Sequence, residues 1–340
     1  MNITAIICEL NPLHDGHKYI ISRAREDADV LLLVMSGNFT ERGTPAVYDK
    51  YARAEAAIRA GADAVVELPY PWCSAGVEGF ARGGVTVASA LGADRLVFGS
   101  ESGDGELIEK IAQIKSPPGY KQAALAAENT DRRTGSAEIF DSVLASFGVT
   151  ETVGANDKLG AEYIRYGRNA GVNNFTFVER IGVRSASEIR KTLPEAIRIE
   201  RRYNGILFDF CRTFGNESEN DLVRYAAKVA HDCTDADGFI GALPTKKYTL
   251  ARLRREILAE ILRSNANPTD APDFTVLLGA NEKGREYLSS VRNTAPIELV
   301  TKPADAKSDQ FAALCRADEL YCLSAGLCGG EMMRKKPFIM

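Results

Sequence analysis

The sequence predicts an α/β protein, a doubly wound parallel sheet followed by a second, mainly helical domain that contains a small βαβ element. Three observations predict it. Short apolar runs of strand length alternate with longer segments of helical spacing through the first hundred residues. Those runs are rich in Val, Leu and Ile, as strands buried on both faces require. Beyond residue 194 the pattern turns into long amphipathic helices, and 340 residues at roughly 150 per domain also give about two units. The boundary is therefore placed between 1–194 and 195–340.

In order, strands are expected at Ile3–Cys8, 30–35, Ala64–Leu68 and 95–98, with helices between them at 19–28, 48–60 and 75–91. Strands alternating with helices make βαβ units with right-handed crossovers. Residues 103–147 read as helical and more polar, with breakers at Pro117, Pro118 and Gly119. A helix over 156–170, a fifth strand over 174–181 and a short helix from Ser185 close the first unit. In the second, helices are expected at 221–233, 248–264 and 308–324, the last with Ser308 as its N-cap. Strands at 274–278 and 297–301 flank a helix that begins near Asn281.

Composition excludes whole classes of function. With 45% hydrophobic and 26% charged residues, the chain is neither disordered, collagen-like nor a disulfide mini-scaffold. A net charge of −4 excludes a protein that is basic all over but allows a local basic patch. The longest apolar run, 30–35, falls far short of the ~20 residues that span a bilayer, so no membrane association is expected. The N-terminus has no basic leader, and Glu9 and Asn11 break its apolar stretch. Seven cysteines without a C-x-x-C pair suit a reducing cytoplasm.

Two of the three histidines lie in Cys8-Glu9-Leu10-Asn11-Pro12-Leu13-His14-Asp15-Gly16-His17, where the first strand hands over to the first helix. Doubly wound sheets bind ligands at the carboxyl ends of their strands. A helix N-terminus adds free N–H groups and a positive dipole end, which suit phosphate. Gly16 allows close backbone approach, and the two imidazoles can donate hydrogen bonds to phosphoryl oxygens during displacement at phosphorus. The plainer alternative is that His14 and His17 cap the helix or fill a polar pocket. Zinc would need a third ligand, yet only His231 remains and the cysteines are scattered, so no protein-held metal is expected.

A second cluster runs from Arg180-Ile181 to Ser185-Ala186-Ser187-Glu188-Ile189-Arg190-Lys191. Ser185 and Glu188 form a capping box, which leaves Ser187 and Arg190 near a helix start. There they can clamp the β and γ phosphates of ATP opposite the histidines. A basic run supplies a third feature. Lys246, Lys247, Arg252, Arg254, Arg255 and Arg263 outweigh Glu256 and Glu260 by +4, while Leu250, Leu253, Ile257, Leu258 and Ile261 form an apolar face. Such a run is either a solvated helix face or a phosphate-binding surface, which Lys283 and Arg285 would extend. The aromatic pairs Phe208/Phe210 and Tyr70/Trp72 are expected in the core or at an interface.

Together the histidine and Ser185–Arg190 motifs resemble the nucleotidyltransferase superfamily of Rossmann-like (HUP) domains. The resemblance narrows further along, through Met35-Ser36-Gly37-Asn38-Phe39, Arg42-Gly43-Thr44-Pro45-Ala46, Glu67-Leu68-Pro69 and Phe98-Gly99-Ser100-Glu101-Ser102-Gly103-Asp104. With Asn156-Asp157-Lys158-Leu159-Gly160 and the segments 246–255 and 278–285, these blocks resemble the tRNA(Met) cytidine acetate ligase family over nearly the whole chain.

That resemblance implies a cytoplasmic bacterial ligase. It would join acetate to ATP as acetyl-adenylate, release pyrophosphate, and pass the acetyl group to the wobble cytidine of elongator tRNA(Met). The products would be N4-acetylcytidine and AMP, with Mg²⁺ on the phosphates and without acetyl-CoA. ATP would lie along Ile7, Cys8, Glu9, Leu10, Asn11, Pro12, Leu13, His14, Asp15, Gly16, His17, Lys18, Tyr19 and Ile20. Gly99, Asn156, Arg180, Ile181 and Ser187 would complete its pocket. His14, His17 and Arg190 would be catalytic, and the six cations of the basic run would meet tRNA. Arg42, Lys50 and Arg53 would meet acetate or tRNA phosphate, or form salt bridges. The chain departs from the family pattern at Asp157, which replaces an amide, at Leu10 and Leu13, which replace aromatics, and at Ala186, which replaces a hydroxyl. Two other functions fit the motifs: a small-molecule adenylyltransferase of cofactor synthesis, and a nucleotide- or RNA-binding protein without turnover.

Overall fold

The first apolar run becomes β1 (Ile3–Cys8), and later runs assemble around it, in a computed structural model that describes residues 1–130 and 135–340. In chain order there follow α1 (Asp15–Arg25), β2 (Val30–Ser36), α2 (Lys50–Arg59), β3 (Ala64–Leu68), α3 (Gly76–Ala90) and β4 (Arg95–Ser100). Next come α4 (Gly105–Lys115), α5 (Pro118–Thr130), α6 (Ser136–Ser146), α7 (Ala155–Asn169), β5 (Asn174–Glu179), α8 (Ala186–Arg190) and α9 (Pro194–Phe214). The remainder is α10 (Asp221–His231), α11 (Ala236–Ala242), α12 (Leu250–Ile261), β6 (Phe274–Ala280), α13 (Glu282–Val291), β7 (Glu298–Val300), α14 (Phe311–Ala325), α15 (Glu331–Arg334) and β8 (Phe338–Ile339).

The strands form one sheet in the order β5-β4-β1-β2-β3-β6-β7, with β8 also on β6. The five strands from β5 to β3 are parallel. From β1 the chain first adds strands on one side (β2, β3) and then on the other (β4, β5), so the order reverses between β1 and β4. That reversal opens a crevice at the carboxyl ends of the strands, the usual ligand position in such sheets. Every residue of β2, β3 and β6 is buried, which accounts for their predominantly apolar sequence, with Ser36, Glu67 and Thr275 the exceptions. Gly84 lets α3 lie directly on β1, because a Cβ there would come within 2.5 Å of Ile7 Cγ2.

The small βαβ element expected past residue 194 is β6–α13–β7, and it is built onto the first sheet: β6 runs antiparallel along β3. This covers an apolar edge that β3 would otherwise leave unpaired. Of the 103–147 stretch, 131–134 lie outside the described residues; around them α4, α5 and α6 are helical as expected. Pro118, read as a breaker, opens α5, a position where its missing N–H costs nothing. Ser308 is not the cap of α14, which starts at Phe311. Its hydroxyl binds Asp273 and its N–H meets Glu298 at 3.1 Å, tying the approach of α14 to the sheet. The long α9 carries Pro194 at its first turn, where its missing N–H costs nothing, and Gly205 within it.

Candidate active site

After β1 the chain passes through Leu10, whose φ of 49° lies in the left-handed region. That conformation costs a non-glycine residue about 1–2 kcal/mol. Burial of the leucine side chain, 2% exposed, supplies a comparable offset of about 1.5–3 kcal/mol. The turn delivers His14 to the N-cap of α1. His14 Nδ1 accepts from Gly16 N at 3.0 Å, and His17 Nδ1 accepts from His14 N at 3.3 Å. This is a capping box made of two imidazoles, stacked with centroids 3.8 Å apart.

The capping geometry fixes the chemistry of the rings. With Nδ1 accepting, the proton of each neutral ring sits on Nε2 and is a donor. Burial, then the charge of Arg180, holds His14 below the ordinary histidine value. Burial, then neighbouring His14, pushes His17 down to about 3, against a weaker opposing pull from the Pro12 carbonyl. Capping and phosphate donation are therefore compatible roles for one pair of side chains: one nitrogen holds the helix and the other carries a donor hydrogen.

The segment between β5 and α8 lies over this helix start, since a Cβ on Gly16 would approach Val183 Cγ2 at 3.4 Å. Ser185 Oγ accepts from Glu188 N at 3.2 Å, and the Glu188 carboxylate accepts from Ser185 N at 2.7 Å, completing the expected box. Arg190 reaches back and donates to the Asn11 carbonyl. Ser187 and Ile181 are exposed. On the β4 side, one Glu101 oxygen accepts from Asn156 N at 2.8 Å and Asp157 N at 3.2 Å, while Arg180 sits 3.5 Å from the other. Glu101 is the organising residue of this rim, and the sequence marks it only by its place in the Ser100–Asp104 block.

Asp157 finds a structural explanation. It is 1% exposed, and its carboxylate accepts from Ser100 Oγ at 2.6 Å, Glu101 N at 3.1 Å and Ser102 N at 3.1 Å. Three donors suit two carboxylate oxygens better than the one oxygen of an amide. Asp157 thus fastens the turn after β4. Several residues expected along ATP are framework in the same sense. Ile7, Leu10, Asn11 and Pro12 are buried, and Asn11 Oδ1 holds Val47 N at 2.9 Å. Burial pushes the Cys8 thiol up to about 12, so it stays protonated. Gly99, Leu13 and Ile20 are half-buried, whereas Asp15, Lys18 and Tyr19 are exposed, with Lys18 and Asp15 paired at 3.1 Å.

Beyond β2, the segment leading to α2 is braced from several sides. Glu9 accepts from Glu41 N at 2.7 Å, Ser74 Oγ donates to the Thr40 carbonyl at 2.8 Å, and Tyr203 donates to the Gly43 carbonyl at 2.8 Å. Lys50 is 1% exposed between Glu67 at 2.8 Å and Asp318 at 2.7 Å. Arg53 is 2% exposed and donates to the carbonyls of Tyr48, Glu9, Ser36 and Gly37. Of the three cations expected to meet acetate, tRNA or an internal acid, these two are internal; Arg42 alone is exposed.

The basic run is also divided. Arg254 does not face solvent: it is 8% exposed and donates to Glu200 and Asn204 of α9, each at 3.0 Å. Its expected contact with tRNA is corrected on that ground. The cause is packing of α12 against both α9 and α10, which narrows its exposed face. Arg255 is half-buried, 3.4 Å from the Glu41 carboxylate. Lys246, Arg252 and Arg263 are exposed, Lys247 is half-buried, and Arg252 and Lys247 both lie over the Tyr248 ring.

Comparison with known proteins agrees with this geometry. A family model described as HIGH Nucleotidyl Transferase matches residues 1–204 and 215–331. The tRNA(Met) cytidine acetate ligase of Clostridium perfringens is 30% identical over 92% of each chain. The Thermotoga maritima protein of that name is 31% identical over 86% of this chain and 85% of its own. The chain belongs to the tRNA(Met) cytidine acetate ligase family. Within that family, the crystal structure of Thermotoga maritima TmcAL bound with alpha-thio ATP matches at a TM-score of 0.87 and 28% identity, over the full length of both chains. The family's motif reads His14-Asp15-Gly16-His17 here.

Proposed function

We propose that the protein activates acetate with ATP and transfers the acetyl group to the wobble cytidine of elongator tRNA(Met). As a member of its family it is an ATP-dependent ligase. The observation that carries the finer reading is the stacked, neutral histidine pair at the crevice between β1 and β4, flanked by Arg180 and Arg190. Mg²⁺ brought in with ATP would supply positive charge that lowers the repulsion of the phosphates, while this chain's own residues do the orienting. One acetate oxygen bonds to the α-phosphorus as the bond from that phosphorus to the bridging oxygen breaks, and pyrophosphate departs. His14 and His17 donate to the α-phosphoryl oxygens as their charge grows, while Arg190 and Ser187 hold the leaving phosphates.

In the second step the cytidine N4 amine attacks the acetyl carbon, AMP leaves with the acyl oxygen, and the amine proton passes to solvent. Acetyl-CoA takes no part. The adenylating unit is 1–194, and 195–340 receives tRNA through Lys246, Lys247, Arg252 and Arg263, with Arg255 at the junction of the two. Both substrates place the reaction in the cytoplasm. The test is incubation with ATP, labelled acetate and bulk tRNA, followed by nucleoside analysis. Labelled N4-acetylcytidine confined to elongator tRNA(Met) is expected. An AMP-conjugated metabolite formed from cell extract would indicate a small-molecule adenylyltransferase instead, and binding without chemistry a non-catalytic protein.

A further inference from the structure

The turn at Thr40–Gly43 is built more firmly than a surface turn needs. Gly43 N donates to the Thr40 carbonyl at 2.9 Å, and Thr40 N to the Thr44 carbonyl at 2.9 Å. Gly43 has a φ of +70°, and a Cβ there would meet the Arg255 backbone nitrogen at 3.0 Å, so the tip also fits against α12. Glu9 from the end of β1, Ser74, Tyr203 from α9 and Arg255 from α12 all anchor it. The side chain that this frame displays is Arg42, which is exposed and has no hydrogen bond or ion pair among the described residues. Neighbouring cations are committed: Lys50 to Glu67 and Asp318, Arg53 to carbonyls, Arg255 to Glu41.

Position supplies the second line of argument. Glu41 N is held by Glu9, two residues before Asn11, whose carbonyl receives Arg190. Arg42 and Arg190 therefore stand on the same rim of the crevice: burial lowers the pKa of Arg190, the charge of Glu9 opposes this, and the charge of Arg42 adds to it. Two like charges on one rim are relieved by an anion between them. Arg42 follows β2, whereas Gly99, Asn156 and Arg180 belong to the β4–β5 side. It thus approaches the reacting phosphorus from the side away from the nucleoside pocket. A carboxylate that must attack a polyanion needs charge neutralisation and a fixed direction, and a guanidinium supplies both through two parallel hydrogen bonds.

We propose that Arg42, facing Arg190, binds the carboxylate of the acyl substrate and aims one of its oxygens at the α-phosphorus of ATP. This rests on the acetate-activating reading above. The carboxylate keeps its charge until its oxygen bonds to phosphorus, so Arg42 transfers no proton; it holds and orients.

Acetate-dependent ATP–pyrophosphate exchange tests the proposal with R42Q and R42K, neither of which removes a contact from the fold. R42Q is expected to raise the KM for acetate about 50-fold, the scale of a lost charge-assisted contact, with ATP affinity and the salt dependence of tRNA binding unchanged. R42K, keeping the charge without the fork, should recover part of that loss. An unchanged acetate KM in R42Q overturns the assignment. So does a raised KM for ATP or pyrophosphate alone, which would place Arg42 on the leaving phosphates. A flattened salt dependence of tRNA binding with a normal acetate KM overturns it in favour of a nucleic-acid contact. If the wild type binds ATP but shows no acetate-dependent exchange, the acetate reading itself fails, an outcome distinct from any of these.

Discussion

Helices α1 and α8 open with the same reciprocal hydrogen-bond pattern, one made by His14 and His17, the other by Ser185 and Glu188. The first is sunk into the fold, with Ile21 and Ala24 of its helix in the core and its rings stacked. The second heads a five-residue helix with no buried residue. It reaches the site through the Arg190 side chain on the Asn11 carbonyl. Identical local chemistry therefore gives two kinds of support. The donors assigned to the reacting phosphorus are positioned in advance, and the clamp assigned to the leaving phosphates hangs on one long side chain. Preorganisation is concentrated where charge changes most.

The largest effect expected from breaking this contrast is in H17A. It removes a preset donor and should slow adenylate formation about 10²–10³-fold in pyrophosphate exchange, with ATP affinity little changed. A near-normal rate would remove the histidine pair from the chemistry. Acidity gives the next effect. His17 titrates at about 3 in the fold against 6.5 ordinarily, so the unfolded chain takes up its proton first as pH falls. Stability should decline below about pH 6.5 and continue to decline toward 3, by at most about 1.4 kcal/mol per pH unit. Urea titrations at pH 7 and 5 should show this slope in the wild type and a shallower one in H17Q, where the remaining part comes from His14, also held below its ordinary value. The Glu188 carboxyl is held below its ordinary value by the Ser185 N–H and hydroxyl, so its cap also weakens in acid as that carboxyl protonates. The smallest effect is that of S185A, which removes a cap worth about 1 kcal/mol on an exposed helix. It should raise the KM for ATP about fivefold and leave the thermal midpoint nearly unmoved; a large drop in that midpoint would mean that α8 is as integral as α1.

Legibility in the sequence follows the same division between local and distant causes. The strands β1 and β3 and the Ser185–Glu188 box are local in origin, and their patterns predict them almost to the residue, whereas α1 begins at Asp15, ahead of the apolar spacing that points to 19–28. The burial of Arg254 is set by distant partners, Glu200 and Asn204 on α9, which its own run of sequence does not reveal. For Lys50 the sequence offers a ligand contact or a salt bridge, and Glu67 with Asp318, far along the chain, decides for the salt bridge. Asp157 stands where the family pattern has an amide, and only the three donors of the turn after β4 reveal what the acid does. Ser308 accepts from Gln310 N just ahead of α14, as a residue near a helix start can, but its ties to Asp273 and Glu298 lie at the sheet, out of reach of a local reading.

The antiparallel seating of β6 on β3 has a consequence for synthesis. A ribosome releases residues 1–194 long before 274–280, so the nascent first half emerges with the largely apolar β3 bare along one edge. Lys50 and Glu67 meanwhile lack Asp318, the third member of their buried cluster. A transcript cut short between these points would yield a sticky fragment instead of a smaller working enzyme, and each growing chain depends on chaperones or speed until its final third arrives.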